Sequence, residues 1–310
     1  MPGSEPGYAR PAPTEPTLDP DDPKTALQAH LRTALLALPS YFEFSNYISG
    51  VNATDLFSLN SLLGASIESQ VLKALNAERA LWDPNDQWIG CVFERQAQAF
   101  PDVRLIRKNT TGKPEIILGI ELKGWFILAK EGEPSFRMTQ TPAACADHDL
   151  LVVVPWYLDN VLSGKPVAAE PFVVSSRWAA EYRNYYWQVM RKVHPGTNVD
   201  IAAPPGAHPY PTKDEQIADV PAEDKGGNFG RVSRVPGLMS EWVATTNQLE
   251  VLGVRNENWY RFLKLHTDKG DPDAISAALE QRLQRHLGIQ GVARADEIAQ
   301  LVAQIAEIFL

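Results

Sequence analysis

The chain has few cysteines and no long apolar run. Its two cysteines, Cys91 and Cys145, lie far apart among 310 residues, so neither a disulfide framework nor a cysteine-based zinc site is indicated. No stretch approaches the roughly 18 apolar residues that a membrane helix needs, and the N-terminus lacks the basic-then-apolar order of a signal peptide. A Gly-rich phosphate loop is also missing. We therefore expect a cytoplasmic globular protein that uses neither a membrane nor a nucleotide cofactor.

An excess of positive charge is missing as well. Lys and Arg number 29 against 38 Asp and Glu, which gives a formal net charge of -9. This charge argues against a protein that coats nucleic acid by bulk electrostatic attraction. It does not argue against an enzyme whose phosphate-binding cations are few and confined to one cleft.

The composition changes along the chain and suggests four parts. Residues 1–23 contain seven prolines among small and acidic residues, a composition that cannot bury a core, and we predict a disordered arm there. Residues 24–195 form the predicted core. Residues 196–236, rich in Pro, Gly, Asp and Lys, are predicted to be a long loop or a linker. Residues 237–310 are predicted to form a helical C-terminal subdomain.

Apolar periodicity predicts an α/β fold, with a central mixed β-sheet flanked by helices. Helices are predicted at Lys24–Leu38, Ser66–Ala80, Gly237–Leu252, Glu257–His266, Asp273–His286 and Arg294–Phe309. Strands rich in β-branched and aromatic residues are predicted at Trp88–Phe93, Val103–Lys108, Glu115–Leu128 and Leu150–Trp156.

Two of these strands flank a loop that contains Asn, Gly and Pro, which is typical of a β-hairpin. If the loop is centred between Thr111 and Gly112, antiparallel pairing places Asp102 opposite Glu121. On the second strand, alternation puts Glu121 and Lys123 on one face. The opposite face carries four aliphatic residues that would fix this register, namely Ile116, Leu118, Ile120 and Leu122.

Paired carboxylates with a nearby lysine suit the hydrolysis of phosphodiester bonds. Two carboxylates this close repel each other unless a cation lies between them, and a hard divalent ion such as Mg²⁺ prefers oxygen ligands. Such an ion polarises a phosphate and helps to form hydroxide, while Lys123 would stabilise developing negative charge. A different hairpin register would allow Glu115 to replace Asp102 as a ligand, and Lys123 would be an ordinary surface residue if it only balances the charge of Glu121.

The sequence Pro101-Asp102, followed after eighteen residues by Glu121-Leu122-Lys123, resembles the PD-(D/E)xK motif of nucleases, and its surroundings resemble type II restriction endonucleases. In that family a helix bearing a glutamate precedes the hairpin, a position that Glu68 occupies here. The resemblance thus adds Glu68 to the catalytic residues Asp102, Glu121 and Lys123, in support of the metal, although Glu68 could equally be a solvated helix residue. A helix and another strand follow, which Pro142–Asp149 and Leu150–Val154 would supply. The resemblance implies a Mg²⁺ site formed by Asp102, Glu121 and Leu122, of which Leu122 can offer only its backbone oxygen.

Residues further along the chain suggest how DNA would be held. In the Gly-rich stretch from residue 225 to 234, glycines would let backbone amides approach phosphates, and the arginines could clamp phosphate or bond to guanine. The predicted DNA-binding residues are Lys225, Asn228, Arg231 and Arg234, and the alternative is a flexible basic loop. An aromatic cluster on a predicted helix suggests core packing or a dimer interface rather than base stacking. Its members are Trp178, Tyr182, Tyr185, Tyr186 and Trp187.

Together, the residues and the resemblance predict a Mg²⁺-dependent endonuclease that cuts double-stranded DNA at a specific sequence and leaves a 5′-phosphate. Palindromic sites favour a homodimer. One alternative is a repair or modification-dependent endonuclease with the same catalytic residues. Another is a non-catalytic binding or assembly protein whose charges merely decorate a sheet.

Overall fold

A computed structural model describes residues 10–281, apart from residues 50, 52–54, 56–57, 97–98, 110–111, 113, 194–199, 225–226, 270, 272, 276 and 279–280. Within these residues the chain has an α/β fold built on a mixed sheet of six strands. The sheet order is β1-β2-β3-β4-β5, and β6 also pairs with β4. The strands are β1 (Cys91–Arg95), β2 (Val103–Arg107), β3 (Glu115–Phe126), β4 (Leu150–Leu158), β5 (Pro166–Ala168) and β6 (Phe172–Ser175). This confirms the predicted fold class.

Helices and short hairpins surround the sheet. The helices are α1 (Pro23–Leu36), α2 (Leu59–Ala77), α3 (Arg79–Trp82), α4 (Ser176–Gln188), α5 (Ser240–Thr246) and α6 (Asn256–Lys269). Two-residue strands form two further pairs, β7 (Ile201–Ala202) with β8 (Val220–Pro221) and β9 (Glu250–Val251) with β10 (Val254–Arg255). The predicted helices from residue 273 onward lie largely outside the described residues.

Strand β4 lies at the centre of the fold because apolar groups cover both of its faces. Leu150, Val152 and Val154 pack into one core cluster with residues of α1, α2 and α3. Leu151 and Val153 pack into a second cluster with residues of α4 and the C-terminal region. A strand buried on both faces is expected to be continuously apolar rather than alternating, as this one is.

The hairpin formed by β2 and β3 has the predicted register near its open end. Val103 pairs with Ile120 and Leu105 with Leu118, so continued pairing would place Asp102 opposite Glu121. A β-bulge then shifts the register by one residue, and Ile106 pairs with Ile116. The bulge corrects one detail of the prediction, because Ile117 rather than Ile116 joins Leu118, Ile120 and Leu122 in the core.

The N-terminal segment differs from the predicted disordered arm. Residues 10–22 are described, and several of them contact the body of the protein. Glu15 forms an ion pair with Arg32 at 3.0 Å, and the indole nitrogen of Trp178 donates to the Pro13 carbonyl oxygen at 2.9 Å. Composition alone predicted disorder because it does not reveal partners that are distant in the sequence. Residues 1–9 lie outside the described part.

The region predicted as a loop or linker packs onto the body of the chain. The Ile217 carbonyl oxygen accepts from the Thr141 N–H at 2.7 Å, and the Gly230 carbonyl oxygen accepts from the Met138 N–H at 2.8 Å. Asp219 binds Arg183, and both side chains are fully buried. These contacts make the described residues between 200 and 236 part of the fold, although little of this region is regular secondary structure.

The connection from β3 to β4 also departs from the expectation. The resemblance assigned a helix to Pro142–Asp149, but the structure has only a 3₁₀ turn at Pro142–Ala144. The strand that follows is present and runs parallel to β3, with Ile120 paired to Leu150. The aromatic cluster lies on α4 as predicted, and Tyr185 and Trp187 are buried there. None of the described helices has the length and hydropathy of a membrane span.

The Asn76 side chain of α2 binds both backbone groups of one residue of strand β1. Asn76 donates to the Phe93 carbonyl oxygen at 3.0 Å and accepts from the Phe93 N–H at 2.9 Å. Substituting Asn76→Ala leaves both backbone groups without this partner, and we expect it to lower the free energy of unfolding by about 1–3 kcal/mol. Chemical denaturation measures this loss. The exposed Asn85→Ala variant is the control, and an equal effect of both substitutions would contradict the assigned role.

Candidate active site

The candidate site lies just before the first residue of β2, where β3 continues beyond its pairing with that strand. Beyond Ile120, three N–H groups of β3 point toward the edge that β2 has left, since alternate residues of a strand share an edge. Side chains accept from all three. Asp102 accepts from Leu122 at 3.2 Å, Glu68 accepts from Gly124, and Asn60 accepts from Phe126 at 2.9 Å. The parting of the strands thus draws two carboxylates to the same edge.

The predicted catalytic residues are in direct contact. Lys123 Nζ lies 2.6 Å from Asp102 Oδ2 and 2.9 Å from Glu121 Oε1. The Asp102 N–H also donates to Glu121 Oε2 at 3.3 Å. The structure therefore brings together the three residues that the motif predicts, with one ammonium group between two carboxylates.

Burial differs sharply among the three side chains. Glu121 is only 4% exposed, whereas Asp102 is 28% and Lys123 is 22% exposed. Burial raises the pKa of Glu121 to about 7, and repulsion by Asp102 adds to the rise while Lys123 opposes it. Burial alone would lower the pKa of Lys123, but attraction to Glu121 and Asp102 outweighs it and raises this pKa above the ordinary value. Lys123 is thus held in its charged form, beside a buried carboxyl whose pKa lies above that of an exposed glutamate.

Helix α2 brings a third carboxylate to the site. Glu68 accepts from the Gly124 N–H, and its Oε2 lies 2.9 Å from Arg95 Nη2. Burial raises the pKa of Glu68, and repulsion by Asp102 raises it further, against the attraction of Lys123 and Arg95. Glu68 is therefore electrostatically part of the same group of charges rather than a solvated helix residue.

Close packing behind the site positions Asp102. A Cβ atom on Gly119 would lie 2.3 Å from Pro101 Cγ, so only glycine lets the Pro101 ring rest on β3 at this point. Pro101 directly precedes Asp102. Any side chain at position 119 would therefore push the segment that carries the carboxylate.

A buried aspartate that the sequence reasoning missed lies on the other side of Gly119. Asp149 accepts from the Gly119 N–H at 2.6 Å, from the Ala146 N–H at 2.8 Å and from the Tyr210 hydroxyl at 2.9 Å. Burial raises the pKa of Asp149 to about 6, although these hydrogen bonds oppose the shift. The apolar strand that follows Asp149 gave a weak signal, since an aspartate directly before a fully buried strand needs hydrogen-bond donors of its own.

Other candidate residues lie elsewhere. Glu115, the alternative ligand, starts β3 and forms an ion pair with Arg107 at 3.1 Å, far along the hairpin from Glu121.

Arg234 Nε lies 2.5 Å from Glu133, and Arg234 also donates to Asn228. Within the described chain, no hydrogen bond or ion pair joins Arg231 or Arg234 to the catalytic residues. Lys225 lies outside the described residues.

The oxygen atoms at the site suit a hard divalent cation. Asp102 and Glu121 offer carboxylate oxygens. The Leu122 carbonyl group points to the same edge of β3 as the Leu122 N–H, from which Asp102 accepts a hydrogen bond. No group of three or more His, Cys, Asp or Glu side chains arranged as a metal site occurs in the described part of the chain. Mg²⁺ commonly binds through one or two carboxylates and takes its remaining ligands from water and phosphate, so this donor set fits.

Comparisons with protein families, curated proteins and solved structures found no match for this chain. The resemblance to PD-(D/E)xK nucleases therefore rests on the sequence motif and stays a prediction.

The raised pKa of Asp149 predicts a pH-dependent stability. A carboxyl group whose pKa is raised on folding stabilises the fold fully below its unfolded value, near 3.8, and this contribution is lost as pH rises through about 6. A shift of about two units corresponds to about 3 kcal/mol. We therefore expect the free energy of unfolding of the wild type to fall by up to this amount, relative to Asp149→Asn, between pH 4 and pH 7.

Chemical denaturation at several pH values tests this expectation. The matched control is Asp214→Asn, which changes an exposed aspartate and should keep the pH dependence of the wild type. If Asp149→Asn also kept that dependence, the stability change would have to arise from another group.

Proposed function

We propose that this chain is a Mg²⁺-dependent endonuclease that hydrolyses phosphodiester bonds of DNA, with Asp102, Glu121 and Lys123 as catalytic residues. The observation that carries this proposal is the contact of one ammonium group with two carboxylates at the open end of a β-hairpin. Glu68 lies beside them, as the resemblance to PD-(D/E)xK nucleases implies. Such a combination is unusual for a purely structural ion pair, because the almost fully buried Glu121 shares the ammonium group of Lys123 with a second carboxylate, that of Asp102.

Each residue has a separate task in this proposal. Asp102 and Glu121, with the Leu122 carbonyl oxygen, would hold Mg²⁺, which supplies charge neutralisation at the phosphate and lowers the pKa of bound water. Lys123 keeps its charge across the physiological pH range and would stabilise negative charge that develops on the phosphate oxygens. Glu68 would help to position Lys123 and Asp102, with Arg95 holding its carboxylate.

The finer parts of the proposal rest on the resemblance to type II restriction endonucleases. These parts are cleavage of double-stranded DNA at a specific sequence, action as a homodimer and a cytoplasmic location. Two-fold symmetry in the protein would match a palindromic site in the DNA. The net charge of -9 limits the favourable electrostatic contact to a local surface, as the proposal requires.

Loss of any catalytic residue should lower the rate of cleavage strongly. We expect Asp102→Asn, Glu121→Gln and Lys123→Ala each to lower the cleavage rate about 100-fold or more, because each removes a metal ligand or a charge at the phosphate. Cleavage of plasmid and genomic DNA with Mg²⁺, read on gels, measures the rate.

A second ion pair in the same sheet provides matched controls. Lys108 Nζ lies 2.7 Å from Glu94 Oε1, and both side chains are exposed. Glu94→Gln and Lys108→Ala should therefore cleave at the wild-type rate. Cleavage that persisted in all three site variants would refute the assigned site, and absence of cleavage on unmodified, methylated and damaged DNA would favour a non-catalytic binding protein. Cleavage restricted to methylated or damaged DNA would favour the repair or modification-dependent alternative.

Arginines of the Gly-rich stretch remain the proposed DNA contacts. Arg231 Nε is buried and has no hydrogen-bond partner among the described residues, whereas Arg234 is bound to Glu133. We expect Arg231→Ala to weaken DNA binding and to reduce the slope of log affinity against log salt concentration by about 1. Fluorescence anisotropy with catalytically inactive Lys123→Ala protein measures both. The exposed Arg255→Ala is the control, and an unchanged slope for Arg231→Ala would remove this residue from the DNA surface.

A further inference from the structure

One face of helix α4 carries three aromatic side chains at helical spacing. Trp178, Tyr182 and Tyr185 follow one another at intervals of four and three residues, so they lie along one stripe. Their rings are in contact, with centroids 5.4 Å and 5.9 Å apart. The described N-terminal segment, residues 10–16, lies along this stripe.

The contacts between the two are directional. The Tyr185 hydroxyl donates to the Arg10 carbonyl oxygen at 3.0 Å, and the Trp178 indole N–H donates to the Pro13 carbonyl oxygen at 2.9 Å. The segment thus runs antiparallel to α4. Its side chains contribute as well, because the Arg10 guanidinium lies 6.0 Å from the Tyr185 ring centroid and donates to Gln188.

The sequence of this segment favours a polyproline II helix. Pro11, Pro13 and Pro16 each fix φ near the polyproline value, and a residue that precedes proline avoids the α conformation. Carbonyl groups three residues apart in such a helix are separated by about 9 Å. Trp178 and Tyr185 are seven positions apart, which corresponds to about 10 Å along an α-helix. The two donors therefore match one turn of polyproline II.

A charged contact completes the fit. Glu15 accepts from Arg32 Nη2 at 3.0 Å and from the Ser175 N–H at 2.6 Å. Around this carboxylate lies a cavity of about 220 Å³, lined by Glu15, Pro16, Leu18, Gln28, Arg32 and Ser175. The segment is thus held at specific points rather than packed continuously into a core, as a bound peptide is.

We propose that Trp178, Tyr182 and Tyr185, together with Arg32, form a recognition site for proline-rich peptides, occupied by the chain's own residues 10–16. The ligand class is a polyproline II segment with a carboxylate two residues after the proline whose carbonyl Trp178 binds. Aromatic rings that donate hydrogen bonds to the carbonyl groups of a preformed polyproline helix are a general mode of peptide recognition. A separate peptide of this class binds the same face when the chain's own segment is weakened.

Competition between the attached and a free segment tests this proposal. The probe is a fluorescein-labelled peptide of residues 10–18, and the protein is the full chain. In the wild type the attached segment has an effective concentration in the millimolar range and excludes the peptide. We expect the double variant Pro13→Gly/Glu15→Ala to bind the peptide at least about tenfold more tightly than the wild type, as measured by fluorescence anisotropy. The single variant Glu15→Gln gives the same comparison should the double variant fail to fold.

Two further variants identify the face. Added to the weakened chain, Trp178→Phe keeps an aromatic ring but removes the N–H donor, and should weaken peptide binding about three- to tenfold. Trp259→Phe is the matched control, since the Trp259 indole also donates to a backbone carbonyl, that of Val251 at 2.8 Å. A peptide with alanine in place of its prolines should bind poorly.

Three results would overturn the proposal. These are equal peptide binding by the wild type and the weakened chains, equal binding of the proline and alanine peptides, and equal effects of the two tryptophan substitutions. An oligomer of the wild type that the weakened chains do not form would show that a second copy holds the segment, and would overturn its assignment within one chain.

Discussion

A single ammonium group between two carboxylates is the interaction on which the candidate site depends. Asp102 directly precedes β2 and Glu121 lies on β3, and without a cation between them their charges would repel. Lys123 donates to both, and the Asp102 N–H donates to Glu121 in addition. Because Glu121 is buried, removal of its partner Lys123 would leave an uncompensated buried charge and lower the stability of the fold. The three residues therefore act as one unit, and a divalent ion would enter by sharing or replacing the bonds of Lys123.

The sequence predicted this meeting of side chains correctly, but partly through two errors that cancel. The prediction assumed an unbroken hairpin centred between Thr111 and Gly112. In the structure, the pairs nearest the turn are centred on Thr111 itself, and the bulge adds one residue to β3 before the site. The shift restores the predicted pairing from Leu105 to Val103. Alternation identified the core face at Leu118, Ile120 and Leu122, whereas a local irregularity such as the bulge has no clear periodic signal.

Contacts between distant parts of the chain account for what the sequence did not predict. Residues 10–22 and the region after residue 200 have compositions that suggest loops, yet their hydrogen bonds go to Trp178, Arg183 and Thr141. Composition reports whether a segment can form a core alone, and neither segment can. It does not report whether a surface built elsewhere provides partners. The sequence did not predict the pairing of Asp149 with Tyr210 for the same reason, since the carboxylate meets its hydroxyl donor only when the fold brings the two residues together.

Helix α2 explains why the sheet opens at the site instead of closing over it. A strand edge buried in a protein needs partners for its N–H groups, and continued pairing with β2 is the usual solution. Here Asn60 and Glu68, eight residues apart on α2, accept from Phe126 and Gly124. Helix and strand lie close together here, since a Cβ atom on Gly124 would be at ordinary van der Waals distance, 3.7 Å, from Gly64 of the helix. Because helix side chains satisfy these groups, β2 need not extend further and begins only at Val103. The Asp102 carboxylate can then bond to the Leu122 N–H and lie beside Glu121, so the same packing that caps the edge also assembles the charges.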